Sequence, residues 1–264
     1  IQHAKTSLKK LAKNKPSNKK LSFFFESNFL EYHSHLRDFS STHYKIFDEL
    51  SVELGLDKLI QNLFNGEVIN KTENRAALHH QYRLSSPAQD FNFKKISKPF
   101  VEQIKKGNFK NVITFGIGGS YEGPKLLQEF THKFSSKINY HFISGPDKDE
   151  FNSLFKSLVG QKNFFIFSSK SLTTEETLEC LKWLGKNRTP KNSLVVTSNR
   201  KKALSLGFPE SCIVPFPEIV GGRYSIWSPI SLSASIENNF SNFLNGGAIA
   251  DKMMLGKSKE AKKY

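Results

Sequence analysis

The spacing of apolar residues changes part-way along the chain. From residue 21 to about residue 106 they recur three or four positions apart, as at Phe47, Leu50 and Leu54, and Gly55 interrupts the pattern. This spacing predicts a helical segment over residues 21–106.

After residue 106 short apolar runs alternate with helical patterns. Apolar runs predict strands at 112–115, 138–143, 164–167, 194–197 and 212–216. Helical spacing predicts helices at 123–130, 150–158, 175–184, 226–236 and 240–254. Alternation with short connections is typical of an α/β fold with a doubly wound parallel sheet, which we place at residues 107–236.

Charge is concentrated at the ends of the chain. The 264 residues carry a net charge of +15, and the first 20 residues hold seven lysines and no acid. A nucleic-acid surface needs basic residues gathered with aromatic residues on one folded face. Residues 1–20 are therefore interpreted as a basic flexible tail, and no nucleic-acid partner is expected.

Membrane insertion and metal binding are not indicated by the residue pattern. No apolar run approaches the roughly 20 residues that span a bilayer. Cys180 and Cys212 lie far apart without metal-ligand spacing, which favours a reduced, cytoplasmic protein. His79 and His80 are adjacent, so on a helix their side chains diverge by about 100° and do not suit one metal ion.

Hydroxyl residues and a lysine follow the apolar run 164–167 and lead directly into a predicted helix. Where a helix begins after a parallel strand, unpaired backbone N–H groups and the helix dipole favour an anion. The residues that add donors and charge there are Ser169, Lys170, Ser171 and Thr174. A simpler interpretation is that Thr173 caps the helix and Glu176 completes a capping box, and both interpretations can hold together.

A glycine-rich loop follows the run 112–115. Gly116 and Gly118 lack the third glycine of a dinucleotide fingerprint, Lys125 stands one position too late for a Walker A lysine, and Ser120 lacks the second glycine of a nucleophile elbow. The loop is either a binding loop for a phosphate or sugar, or a plain strand-to-helix turn. Because ligands of doubly wound sheets bind beyond the carboxyl ends of the strands, this loop and residues 169–174 are expected to face one crevice.

Arg223 stands between a glycine pair and a predicted helix after the run 212–216. Such an arginine can reach over the crevice as a fixed cation and stabilise an anionic intermediate. The alternative role is a structural salt bridge.

Four segments together resemble consecutive motifs of the glucose-6-phosphate isomerase family, in that family's order. They are residues 72–83, 116–124, 169–177 and 220–228. The resemblance covers about residues 21–255, or roughly the amino-terminal half of the family's usual length. It implies a sugar-isomerase-type α/β domain, with residues 237–264 beginning the connection to a second α/β domain that is mostly missing.

The resemblance also implies an activity and a setting. The family interconverts glucose 6-phosphate and fructose 6-phosphate without metal or organic cofactor, as a cytosolic homodimer. Its phosphate-binding positions correspond to Gly119, Ser120, Ser169, Lys170, Ser171 and Thr174. Arg223 corresponds to the arginine that stabilises the enediolate, Ser171 stands where the family usually has Thr, and Leu172 replaces a usual Phe.

A catalytic base is missing from the matching positions. Isomerisation through an enediol requires a base that moves a proton between adjacent carbons. The resemblance implies a Glu in a Met-Glu-Ser-Asn-Gly-Lys-like segment, which this sequence does not contain. We therefore expect a fragment that binds the substrate phosphate and is inactive alone. The alternative is a stand-alone, regulatory sugar-phosphate-binding module without catalysis.

Overall fold

A computed structural model describes residues 6, 9, 23–26, 31–34, 41–131, 136–237 and 240–256. Most of the predicted basic tail, together with residues 257–264, lies outside the described residues. The chain separates into two compact units, one formed by Ile1–Asn74 with Ala250–Tyr264 and the other by Arg75–Ile249. The boundaries predicted after residues 106 and 236 fall within the second unit and stay predictions.

The first unit contains a strand pair and two helices. Strands β1 (Phe23–Glu26) and β2 (Glu31–Ser34) are antiparallel neighbours. Helices α1 (Ser41–Glu53) and α2 (Leu56–Phe64) are separated by Gly55, whose φ of 62° is a left-handed conformation that stops a helix. The helical prediction was wrong at its start, because Phe23 begins a run of three phenylalanines and aromatic residues favour strands.

The second unit is built on a five-stranded parallel sheet, which confirms the predicted fold class. Its strands are β3 (Asn111–Phe115), β4 (Asn139–Ile143), β5 (Asn163–Ser168), β6 (Ser193–Thr197) and β7 (Ile213–Pro215). Their order is β4-β3-β5-β6-β7, with every neighbouring pair parallel. The chain direction across the sheet therefore reverses between β3 and β5, and ligands of doubly wound folds bind at such a reversal.

Helices cover both faces of this sheet. They are α3 (Phe93–Lys106), α4 (Glu122–Thr131), α5 (Lys148–Ser157), α6 (Glu175–Leu184) and α7 (Arg200–Ser205). One face packs Phe115, Phe165 and Phe167 with α5, α6 and α7. The other packs Phe164 and Ile166 with α3. Alternate residues of β5 thus enter opposite cores, which explains why this strand is apolar throughout.

The predicted helix 226–236 was wrong, because the structure divides that segment into short turns. A 3₁₀ helix at Gly222–Trp227 and another at Pro229–Ser231 precede the short α8 (Leu232–Ser235), and α9 (Phe240–Met254) follows. Pro229 has no backbone N–H, and the Ser228 hydroxyl accepts the N–H of Ile230 at 3.3 Å. These local bonds replace those of a continuous helix.

The connection between the first unit and α3 is also less helical than predicted. It contains 3₁₀ turns at His79–Arg83 and Gln89–Phe91, and α3 then begins where Asn92 Oδ1 accepts the N–H of Lys95 at 2.9 Å. No helix in the described part of the chain is both long and apolar enough to cross a membrane.

Candidate functional site

The loops after β3 and β5 meet where the strand order reverses. In the loop after β3 a Cβ at Gly116 would lie 2.5 Å from the carbonyl oxygen of Ser120, so the turn is possible only without a side chain there. Gly118 has a φ of 53°, and Ser120 donates its N–H to the Ile117 carbonyl at 3.1 Å. The chain therefore doubles back and places Ser120 just before α4.

The loop after β5 is held by its own hydroxyl groups. Ser169, which is buried, accepts the N–H of Leu172 on its Oγ at 3.1 Å, and the same Oγ lies 3.2 Å from Thr174 Oγ1. Leu172 has a φ of 54°, an uncommon conformation for a residue other than glycine, and its side chain is buried in the core. Core packing and the Ser169 bond together hold this strained turn.

Thr174, rather than Thr173, stands at the N-cap of α6, so the predicted cap was wrong by one position. Its side chain makes no capping hydrogen bond, because the hydroxyl is directed to Ser169. Thr173 instead pairs its hydroxyl with that of Ser171 at 2.7 Å. The first N–H groups of α6 are consequently left without a side-chain cap from Thr174, which suits an anion at the helix start.

Lys170 is fixed by its backbone to the end of β6. Its carbonyl oxygen accepts the Ser198 N–H at 3.0 Å, the Ser198 hydroxyl at 2.8 Å and the Thr197 hydroxyl at 2.9 Å. Three hydrogen bonds to one carbonyl oxygen hold the backbone of Lys170 in place, and its side-chain ammonium group supplies the positive charge of this loop.

The segment after β7 returns across the sheet edge to the loop after β3. A Cβ at Gly119 would lie 2.2 Å from the carbonyl oxygen of Gly222, so the two backbones touch there. The Ser225 hydroxyl lies 3.1 Å from the Gly119 carbonyl oxygen and 2.8 Å from that of Gly222. One side chain therefore joins the two loops.

These loops enclose a cavity of about 190 Å³. It is lined by Ile117, Gly119, Ser120, Ser168, Ser169, Lys170, Ser171, Thr174, Phe216, Gly221, Gly222, Ser225 and Ile230. All six predicted phosphate-binding residues are among them. Within the described part of the chain the lining offers hydroxyl donors, a lysine and a helix start but no carboxylate, an arrangement that favours a bound anion.

Arg223 does not line the cavity, although its neighbours Gly221 and Gly222 do. Its side chain is exposed, with the guanidinium carbon 5.8 Å from the centre of the Tyr224 ring. Tyr224 in turn stacks on His79 with ring centres 4.3 Å apart. The role of Arg223 towards an intermediate stays a prediction.

The sequence pattern did not single out several residues of the lining. Ser168 directly follows the predicted strand 164–167 and was given no role, although a hydroxyl at the carboxyl end of a strand is a usable signal. Phe216 and Ile230 form apolar parts of the lining, and apolar residues carry no signal that separates a cavity wall from a core. Ser225 lies in the 220–228 motif, but its contact with Gly119 joins residues 106 positions apart and leaves no local signal.

His79 and His80 are both buried in the 3₁₀ turn His79–Arg83. In the described residues, no group of three or more histidine, cysteine or acidic side chains is arranged to hold a metal ion. Cys180 and Cys212 are free and buried. Both cysteines belong to the hydrophobic core on the α5, α6 and α7 face of the sheet.

Known proteins with similar sequences include glucose-6-phosphate isomerases. A family model described as phosphoglucose isomerase matches residues 34–263. A glucose-6-phosphate isomerase of Buchnera aphidicola subsp. Cinara cedri is 33% identical over 93% of this chain and 50% of its own length. One of Shewanella woodyi is 32% identical over 78% of this chain and 44% of its own length.

The fold is likewise shared with a solved structure. A glucose-6-phosphate isomerase from Chlamydia trachomatis superposes with a TM-score of 0.70 at 20% identity, over 82% of this chain and 47% of that one. The chain spans about half the length of the curated relatives it matches. From its sequence and its fold, the chain belongs to the phosphoglucose isomerase family.

Proposed function

We propose that this chain carries the substrate-phosphate site of a glucose-6-phosphate isomerase, and that the whole protein interconverts glucose 6-phosphate and fructose 6-phosphate. The observation that carries the proposal is the cavity where the strand order reverses. Hydroxyl groups from two loops, Lys170 and the start of α6 converge on it.

Each part of the lining has a role in this proposal. Ser120, Ser169, Ser171 and Thr174 donate hydrogen bonds to phosphate oxygens, and Lys170 supplies a positive charge. Gly119 has no side chain, which lets the backbone approach the ligand closely. No metal ion or organic cofactor is required for such binding.

The chain alone is proposed to bind but not to isomerise. Moving a proton between adjacent carbons needs a base, and the residues that line the cavity include no carboxylate and no imidazole. The base then comes from another part of the whole protein. Arg223, on the loop beside Gly222, is proposed to stabilise the enediolate once the complete site is assembled.

A stand-alone regulatory module without catalysis is the less favoured hypothesis. The family match begins at residue 34 and so includes much of the segment before the parallel sheet. A module made of a single sugar-isomerase domain has no need of that segment.

The whole protein is further proposed to be a cytoplasmic homodimer, as the family resemblance implies. Exposed apolar side chains on the first unit support a partner surface: Val52 is 78% exposed and Leu59 is 53% exposed. Light scattering after size-exclusion chromatography of the whole protein tests the dimer, and a monomer at micromolar concentration would contradict it.

The phosphate site is tested by a double variant, Ser169→Ala with Thr174→Ala. Charge-assisted hydrogen bonds contribute roughly 1.5–3 kcal/mol each, so affinity for glucose 6-phosphate should fall by about a hundredfold or more. Ser157→Ala is the control, because Ser157 ends α5 and its hydroxyl donates a local hydrogen bond to the Leu154 carbonyl at 2.7 Å. Unchanged calorimetric affinity in a folded double variant would remove the assignment.

The proposal that this chain binds the substrate without isomerising it needs a separate measurement. A coupled assay of the purified chain with fructose 6-phosphate and glucose-6-phosphate dehydrogenase should report no NADPH formation above the enzyme-free rate. Clear turnover would mean that a carboxylate of this chain acts as the base.

A further inference from the structure

Arg75 lies at the edge of the phosphate site, although the site as described above gives it no role. It belongs to the 72–83 motif and begins the second compact unit. Its Nη1 donates to the carbonyl oxygen of Glu218 at 2.8 Å, a contact between residues 143 positions apart. The guanidinium is thereby held against the loop that follows β7.

Gly221 is the point at which Arg75 and Lys170 come together. A Cβ built on Gly221 would lie 3.2 Å from Lys170 Nζ and 3.5 Å from Arg75 Nη2. The φ of Gly221 is −166°, an extended conformation that any residue adopts, so its backbone does not require glycine. The missing side chain instead leaves room for both cationic groups.

The two cationic nitrogens are therefore separated by no more than the sum of those two distances. This is less than the Debye length, which is about 8 Å at physiological ionic strength, so each charge acts on the surroundings of the other. Lys170 and Gly221 line the cavity, and Arg75 lies next to Gly221 without being part of the lining. An anion in the cavity is attracted by both positive charges, and a Coulomb attraction grows with the charge of the anion.

We propose that Arg75 is a charge-selectivity residue of the phosphate site. With Lys170 it forms a pair of cations across Gly221 that favours a doubly charged phosphate monoester over a singly charged anion of the same shape. This inference rests on the proposed function, because it assigns a further residue to the same site. Arg75 acts through its charge and its position beside Lys170.

The test compares two ligands that differ in charge, glucose 6-phosphate and glucose 6-sulfate, by calorimetry at pH 7.5. Arg75→Gln should weaken binding of the phosphate ester by about tenfold, because it removes one of two positive charges near a doubly charged anion. The sulfate ester should lose only about threefold, since a Coulomb energy scales with the ligand's charge. The preference for phosphate over sulfate should thus fall, and the salt dependence of phosphate binding should become shallower.

Two further variants separate charge from structure. Arg75→Lys keeps the charge and removes the fork that reaches Glu218, so it should restore most of the preference for phosphate. Lys162→Gln removes one exposed positive charge just before the amino end of β5, whereas the cavity lies beyond the carboxyl end, and should leave the preference unchanged. Circular dichroism verifies that each variant is folded, and Arg75→Met is the neutral variant to measure if Arg75→Gln does not fold, with the same loss of preference expected.

Several outcomes would overturn the inference. If the unaltered chain binds neither ester, the proposed function fails and this inference fails with it. If the unaltered chain binds glucose 6-phosphate and Arg75→Gln keeps the same ratio of affinities, only the role of Arg75 is refuted. A folded Arg75→Lys that prefers phosphate as weakly as Arg75→Gln would assign Arg75 to holding the Glu218 loop instead.

Discussion

Gly119→Ala should separate the two loops that form the cavity. The added Cβ would lie 2.2 Å from the Gly222 carbonyl oxygen, whereas carbon and oxygen atoms in ordinary contact are about 3.4 Å apart. The neighbour is backbone and not the end of a flexible side chain. One loop must therefore move by roughly 1 Å to accept the methyl group.

The cost of this change has two parts. Forcing an extra methyl group into a packed contact typically costs about 1–3 kcal/mol. Moving the loops apart also stretches the contact from the Ser225 hydroxyl to the Gly119 carbonyl oxygen, now 3.1 Å, which is a hydrogen bond of about 1 kcal/mol. Together these give a free energy of unfolding lower by about 2–4 kcal/mol.

Binding should weaken as well, because Gly119 and Ser120 both line the cavity. Losing one charge-assisted hydrogen bond to the ligand corresponds to a fall in affinity of about tenfold or more. Urea denaturation gives the first quantity, and calorimetric titration with glucose 6-phosphate gives the second.

Gly118→Ala is the matched control. Gly118 has a φ of 53°, and a Cβ there would meet nothing within 4 Å. Its cost should be backbone strain of about 1–2 kcal/mol, with affinity for glucose 6-phosphate close to that of the unaltered chain. Wild-type affinity in Gly119→Ala, or a greater loss of affinity in Gly118→Ala, would refute the reasoning about the loop contact.

Three other predictions concern the surrounding fold. Gly247→Ala should lower the free energy of unfolding by about 1–3 kcal/mol, because its Cβ would lie 2.3 Å from Arg83 Cδ. Gly246→Ala is the control, since a Cβ there would meet no heavy atom within 4 Å, and it should not lower the stability measured by urea denaturation. Burial lowers the pKa of His141, so the folded state favours the neutral imidazole ring. The contribution of this ring to the free energy of unfolding is therefore fully present above the unfolded pKa of about 6.5 and is lost as the pH falls through the lower folded pKa. His141→Gln should flatten the fall in melting temperature between about pH 7 and pH 5. Burial also raises the pKa of Cys180 to about 11 and raises that of Cys212, so neither thiol should react with a disulfide reagent before unfolding, and rapid labelling of the native chain would contradict their burial.

The sheet could be predicted from sequence because its signals are local. The strands of the second unit other than β4 are mostly apolar, and helix α6 matches its predicted range of 175–184. The position of the crevice could be predicted from one general rule, because the carboxyl ends of parallel strands lie at the same edge of a sheet. The six residues that were predicted to bind phosphate line one cavity because two loops meet at that edge.

What the sequence did not reveal depends on distant contacts or on local hydrogen bonds that compete with helices. Arg75 reaches Glu218 across 143 residues, and no local pattern places the two side by side. The segment after Trp227 has helical spacing, but the missing N–H of Pro229 divides it. Leu172 adopts a left-handed turn that its sequence does not favour, because its burial and the Ser169 hydroxyl hold it.

The central claim is that the cavity around Ser169 and Lys170 binds the phosphate of a hexose phosphate. Calorimetric titration of this chain with glucose 6-phosphate, and separately with glucose, tests it most directly. The account predicts saturable binding of glucose 6-phosphate with one site per chain and no measurable binding of glucose at the same concentrations. Equal binding of both sugars, or binding of neither, would contradict it.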